Sequence, residues 1–99
     1  MKILALEMEI PGKQPQDFKP YLAMEARGIW QLTQASIIRE IYFRSDTSSA
    51  VVLLECKNVS AAKKILNALP LVKAGLISFE IIPLVPYSGF HRLFKTSPD

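Results

Sequence analysis

Hydrophobic and polar positions follow two periods along this chain. From Lys2 to Ile10 the period is two: Leu4, Leu6, Met8 and Ile10 share one side, and Ile3, Ala5, Glu7 and Glu9 share the other. That pattern predicts a strand, and Pro11-Gly12 punctuates its end. Then the spacing changes. Phe18, Tyr21, Leu22, Ile29 and Leu32 fall on one helical stripe. Asp17 is the expected cap of that helix; Pro20 is tolerated in the first turn, whose N–H groups have no intrahelical acceptor. The helix is expected to end near Ala35. Gly28 sits inside it, where glycine costs about 1 kcal/mol relative to alanine. A close backbone contact, a ligand against the helix, or a packing site that fits only a small residue would compensate.

The second half repeats the alternation of strand and helix. Ile37 to Arg44 is rich in β-branched and aromatic residues and predicts a strand. The polar run Ser45 to Ser49 predicts a turn, and Ala50 to Cys56, almost wholly apolar, predicts the returning strand of a hairpin. Ser60 is the expected cap of a second helix, with Val59 as its staple residue. Ala61, Ile65, Ala68 and Leu69 should face the core, Lys63, Lys64 and Asn67 should face water, and Pro70 should close the helix. Leu76 to Leu84 predicts the last strand, followed by an aromatic tail containing Tyr87, Phe90, His91 and Phe94. The order β-α-β-β-α-β predicts an α+β, ferredoxin-like fold: a four-stranded antiparallel sheet with two helices on one face, in a single domain spanning residues 1–99.

Such a sheet leaves its second face without helices, yet the strands are apolar on both sides. Val51 and Leu53 oppose Val52 and Leu54; Ile77, Phe79 and Ile81 oppose Ile82 and Leu84; Ile41 and Phe43 oppose Ile38 and Tyr42. An exposed apolar face of that size marks an interface, and a homodimer is the expected solution. The tail, residues 86–99, is the expected strap across it.

Composition narrows the function. With 49% hydrophobic and 21% charged residues, the chain lacks the signature of disorder. Its 12 Lys+Arg against 9 Asp+Glu give a net charge of +3. These charges are scattered, and the nearest cluster is His91, Arg92 and Lys95, so no nucleic-acid partner is expected. No apolar run is long enough for a membrane helix. Cys56 is the single cysteine, which excludes a disulfide scaffold. With no signal-like leader, it suggests a cytoplasmic protein. Asn58-Val59-Ser60 is read as a chance sequon. No metal-ligand cluster, CxxC, P-loop or G-x-G-x-x-G is present, so neither metal nor organic cofactor is expected.

Polar residues on apolar strands are the candidates for chemistry. Glu40, Tyr42 and Arg44 alternate and should project to one sheet face. Glu7, Glu55 and Glu80 are the other carboxylates in strand interiors. If several meet, a desolvated glutamate gains a raised pKa and serves as a base near neutral pH. Arg44 would anchor a substrate carboxylate, and Tyr42 would donate to a carbonyl oxygen gaining charge. The structural alternative is a solvated Arg44 beside the turn and ordinary Glu–Arg pairs across strands. Trp30, the only tryptophan, could wall a pocket for a flat ligand near Gly28, or belong to core or interface. His91, the only histidine, lies in the tail, where an interface role competes with ligand binding.

Two runs carry a family resemblance. Ser60 to Tyr87 (SAAKKILNALPLVKAGLISFEIIPLVPY) resembles the second helix and last strand of muconolactone-isomerase-like proteins of the dimeric α/β-barrel superfamily, through Leu69-Pro70-Leu71, Phe79-Glu80-Ile81 and Pro83-Leu84. Arg39 to Cys56 (REIYFRSDTSSAVVLLEC) is similar to the family's central hairpin. The resemblance implies two ferredoxin-like monomers whose sheets form a barrel, each with a pocket. It also implies cofactor-free proton transfer on a small organic acid or lactone, with Glu40 or Glu7 as base, Arg44 as anchor and Tyr42 as electrophilic donor. Trp30, Gly28, Glu55, Glu80 and His91 complete the expected binding set. A non-catalytic binding or assembly module, and a cofactor-independent monooxygenase, are the alternatives on the same fold. The hairpin departs from the isomerase pattern: it carries Glu40, Tyr42 and Phe43 where a stretch richer in His and Trp is expected.

Overall fold

A computed structural model describes residues 1–94 of the chain. Four strands form one sheet in the order β2-β3-β1-β4: β1 (Lys2–Glu9), β2 (Ile38–Phe43), β3 (Ala50–Glu55) and β4 (Ile77–Pro83). Every neighbouring pair is antiparallel. Helices α1 (Pro15–Phe18) and α2 (Leu22–Gln34) lie between β1 and β2, and α3 (Val59–Asn67) and α4 (Pro70–Lys73) between β3 and β4. The helices pack on one face of the sheet, which is the ferredoxin-like α+β arrangement.

Register sorts the strand residues into two faces. Ile3 lies opposite Leu54 and Ala5 opposite Val52; all four are fully buried under the helices with Ala62 and Leu66 of α3. Leu4 lies opposite Leu53 and Leu6 opposite Val51 on the face that no helix covers. The expected opposition of Ile38 to Ile41 and Phe43 is corrected here. A bulge at Arg39 inserts one extra residue, so Ile38, Ile41 and Phe43 share the helix-side face, opposite Leu54, Val52 and Ala50. Glu40 and Tyr42 occupy the open face, opposite Leu53 and Val51.

The helix ends differ from the sequence reading, each for a local reason. Gln14, not Asp17, is the first cap residue; Asp17 takes the third helical position and its Oδ2 accepts from the Gln14 N–H at 2.8 Å. Pro20 brings no N–H to the helical ladder, and a 3₁₀ turn over Lys19–Tyr21 separates α1 from α2. Asn58 replaces Ser60 as the cap of α3, with its Oδ1 accepting from the Ala61 N–H at 2.8 Å. That shift of two residues turns Ala62 and Leu66 into the core and leaves Ala68 exposed. Pro70 opens α4 at its first position rather than closing α3. Both α2 and α4 end in a Schellman turn. Ile37 N donates to Leu32 O and Leu76 N to Leu71 O, with Ser36 (φ 62°) and Gly75 (φ 75°) in the left-handed region. Gly28 is explained by packing: a Cβ there would stand 3.2 Å from Leu69 Cδ2.

Beyond β4 the chain runs away from the sheet. The radius of gyration is 17.0 Å and the long axis 61 Å, against about 13 Å expected for the radius of a compact 100-residue domain. Val85, Tyr87, Leu93 and Phe94 are each more than 70% exposed. Tyr87 and Phe90 pack edge to face at 4.9 Å beside a 3₁₀ turn over Gly89–Leu93. Lys95 and the remainder of the expected strap lie outside the described residues.

Candidate active site

Helix α2 does not seat fully on the sheet, and none of its residues is buried. Between its inner stripe and the helix-side face lies a cleft of about 660 Å³, within the usual size range of small-molecule sites. Its walls are apolar and aromatic: Phe18, Leu22, Ile29, Trp30, Phe43 and Phe79. Trp30 and Phe43 are 59% and 76% exposed, so they stand at the mouth.

Two half-buried carboxylates face this cleft. Glu7 comes from the middle of β1, where its side chain shares the buried face with Ala5, and its Oε1 accepts from the Ala50 N–H at 2.9 Å. Glu25 comes from α2, and its Oε1 accepts from the Leu71 N–H at 3.0 Å. Each thus spends one oxygen on holding its position. Both side chains line the cleft, and no buried side-chain oxygen or nitrogen lacks a partner among the described residues. Burial raises the pKa of Glu25 above the ordinary carboxyl value; the Leu71 N–H opposes that shift and the charge of Glu7 adds to it. Glu9 stands exposed at the rim.

The other sequence candidates do not gather here. Glu40 and Tyr42 lie together on the open face, where the Tyr42 hydroxyl donates to Glu40 Oε1 at 2.8 Å; that bond holds the phenol proton and raises its pKa. Tyr42 touches the cleft only at its rim. Glu7 is on the opposite sheet face, so the meeting of these residues does not occur. Arg44 grips Asp46 with two bonds of 2.9 and 2.6 Å in the hairpin turn. Glu55 accepts from the Met1 ammonium at 2.6 Å and stands 3.1 Å from Lys2 Nζ; these two cations, the ammonium first, lower its pKa to about 2. Glu80 is exposed on the open face opposite Leu6, and His91 is exposed in the tail. Gly28 lines a separate outer groove, on the side of α2 that faces α3, together with Arg27 and Leu69. Among the described residues no group of three His, Cys, Asp or Glu is placed to hold a metal ion, and no helix is long and apolar enough to cross a membrane.

Glu25 was missed in the sequence, though a signal exists. It falls three residues after Leu22 and four before Ile29, on the apolar stripe itself, where a carboxylate is out of place.

Neither family models nor curated proteins match the chain by sequence. Solved structures do match. The crystal structure of muconolactone isomerase superposes over 100% of this chain and 98% of its own with a TM-score of 0.74, at 16% identity. This chain has the fold of muconolactone isomerase. The resemblance read from the two sequence runs therefore holds at the level of fold. A second structure shares it: 5-chloro-2-hydroxyhydroquinone dehydrochlorinase from Burkholderia phenoliruptrix, in complex with 2,5-dihydroxybenzoquinone. It covers 90% of this chain and 98% of its own, at 15% identity and a TM-score of 0.68. Muconolactone isomerase and this dehydrochlorinase carry different chemistry on one scaffold, so the fold alone does not fix function.

Proposed function

We propose that the protein is a cofactor-free enzyme of the muconolactone-isomerase kind, moving a proton on a small cyclic carbonyl compound such as a lactone. The observation that carries this reading is the pair of half-buried glutamates, Glu7 and Glu25, facing one apolar cleft. Glu7 is the base. It removes a proton from carbon next to the carbonyl, and the C–H electron pair moves into an enolate. Burial favours the protonated form of Glu25, and in that form it donates a hydrogen bond to the enolate oxygen. Return of the proton from Glu7 to a different ring carbon shifts the double bond and leaves both carboxyl groups as they began. Aromatic walls hold the ring flat and keep water from the reacting carbon. Of the residues put forward from sequence, Glu7 and Trp30 take roles in this cleft. Glu40, Tyr42, Glu80 and the tail with His91 belong to the surface that a second copy covers. Arg44 and Glu55 serve the turn and the strand edge. The free, buried Cys56 suits a reducing cytoplasm.

The test is a panel of unsaturated lactones and cyclic enones, assayed for double-bond migration and for deuterium exchange from solvent. Glu7→Gln keeps an acceptor for the Ala50 N–H but loses the base, and should lower turnover about 10²–10⁴-fold with little change in melting temperature. Glu7→Gln with undiminished exchange would sink the assignment.

A further inference from the structure

We propose that this cleft selects an uncharged ring and discriminates against carboxylic acids. The inference rests on the reading of the cleft as the substrate site and assigns the class of ligand. It follows from where the charges lie. The chain is cationic overall, at +3, yet the cleft reverses that sign. Its ionisable lining consists of Glu7, Glu9 and Glu25, with Tyr42 at the rim and no Lys, Arg or His among the described residues. The neighbouring arginines are turned elsewhere: Arg27 onto the outer groove, Arg39 onto the Ser36 carbonyl at 2.6 Å, and Arg44 onto Asp46. A carboxylate entering this cleft loses water and finds like charge, with no guanidinium to pair it. An uncharged ring loses far less on desolvation than a carboxylate and meets no like charge. The aromatic walls fit a flat ring.

The experiment is binding to the full chain at pH 8 of three matched probes: a phenyl-substituted butenolide, its para-carboxylate and its para-aminomethyl derivative, each followed by calorimetry. The neutral ring should bind tightest and the carboxylate at least about tenfold more weakly, equivalent to about 1.4 kcal/mol. In Glu7→Gln that gap should narrow, because one of the repelling charges is gone. Equal or tighter binding of the carboxylate overturns the inference, since a cation would then have to reach the cleft from a partner copy. Tighter binding of the ammonium probe overturns it too, making the cleft a cation site, and so does failure of all three to bind. Binding is read without turnover. If Glu7→Gln left catalysis intact while the neutral ring still bound tightest, the catalytic reading would fall and the ligand class would stand.

Discussion

Glu25 and Glu55 are both glutamates, and their surroundings move them in opposite directions. Glu25 loses water in the cleft and feels Glu7, so its folded-state pKa is raised above the ordinary 4.5. A raised pKa means the folded state binds its proton more tightly than the unfolded chain. The resulting stability is complete below pH 4.5 and is lost as pH rises through the folded-state value. Glu25→Gln removes that loss while a side-chain carbonyl still accepts from Leu71. Thermal melts of this variant should match the parent near pH 4 and exceed it at pH 7–8; a parent that melts higher at pH 8 contradicts the buried carboxyl. Glu55 has the reverse sign, with its pKa lowered from 4.5 to about 2. Its contribution is present above pH 4.5 and disappears as pH falls towards 2, and because the residue is exposed, salt screens it. Trp30 adds a third kind of residue effect. At 59% exposed it has little to lose by truncation. Trp30→Ala should thus lower melting only slightly while weakening any ring bound in the cleft by about 1 kcal/mol or more, since it removes a stacking wall.

At the scale of the element, the sequence was legible where pattern and backbone agree and misleading where one extra residue intervened. All four strands lie where the sequence reading puts them, β1 from its two-residue period, β2 from its β-branched and aromatic residues and β3 from its apolar run. The bulge at Arg39 left no such trace. It adds a residue without changing composition, and so Ile38 reads on the wrong side while Glu40 and Tyr42 move together to the open face. Caps were legible as a class but not by position, since Asn58, Ser60, Gln14 and Asp17 are all capable acceptors and tertiary packing selects among them. Two substitutions test these local readings. Asn58→Ala should destabilise by about 1 kcal/mol, the usual effect of a lost cap, whereas Ser60→Ala should be nearly neutral; the opposite ranking in denaturant melts would restore the sequence reading. Ser36 holds φ at 62° at the end of α2, where Gly75 serves the same motif at the end of α4. Ser36→Gly relieves that backbone and should stabilise by about 0.5–1 kcal/mol.

For the whole molecule, the decisive fact is apolar surface that the chain alone does not cover. The open sheet face presents Leu4, Leu6, Met8, Val51, Leu53 and Ile82, and Met8 is 48% exposed. The tail projects with its aromatic side chains in solvent, which accounts for a radius of gyration of 17.0 Å. This apolar excess on both faces was legible in the sequence. The cleft was not, because a cavity is a mismatch between two surfaces and no residue pattern encodes it. A homodimer built face to face would bury both features at once, and the closed pairing of a two-fold axis would place each tail over the other copy. Leu53 tests this cleanly. It sits in the interior strand β3, on the open face opposite Leu4. Leu53→Arg therefore leaves the helix-side core intact but, in a face-to-face homodimer, would set a guanidinium against the apolar surface of the second copy. Light scattering on the parent should give twice the chain mass of 11.1 kDa, and the variant should give that mass once, with unchanged far-ultraviolet circular dichroism. A variant that remained dimeric would move the interface off this face. The tail aromatics would then have to find their partner on the helix side, beside the cleft.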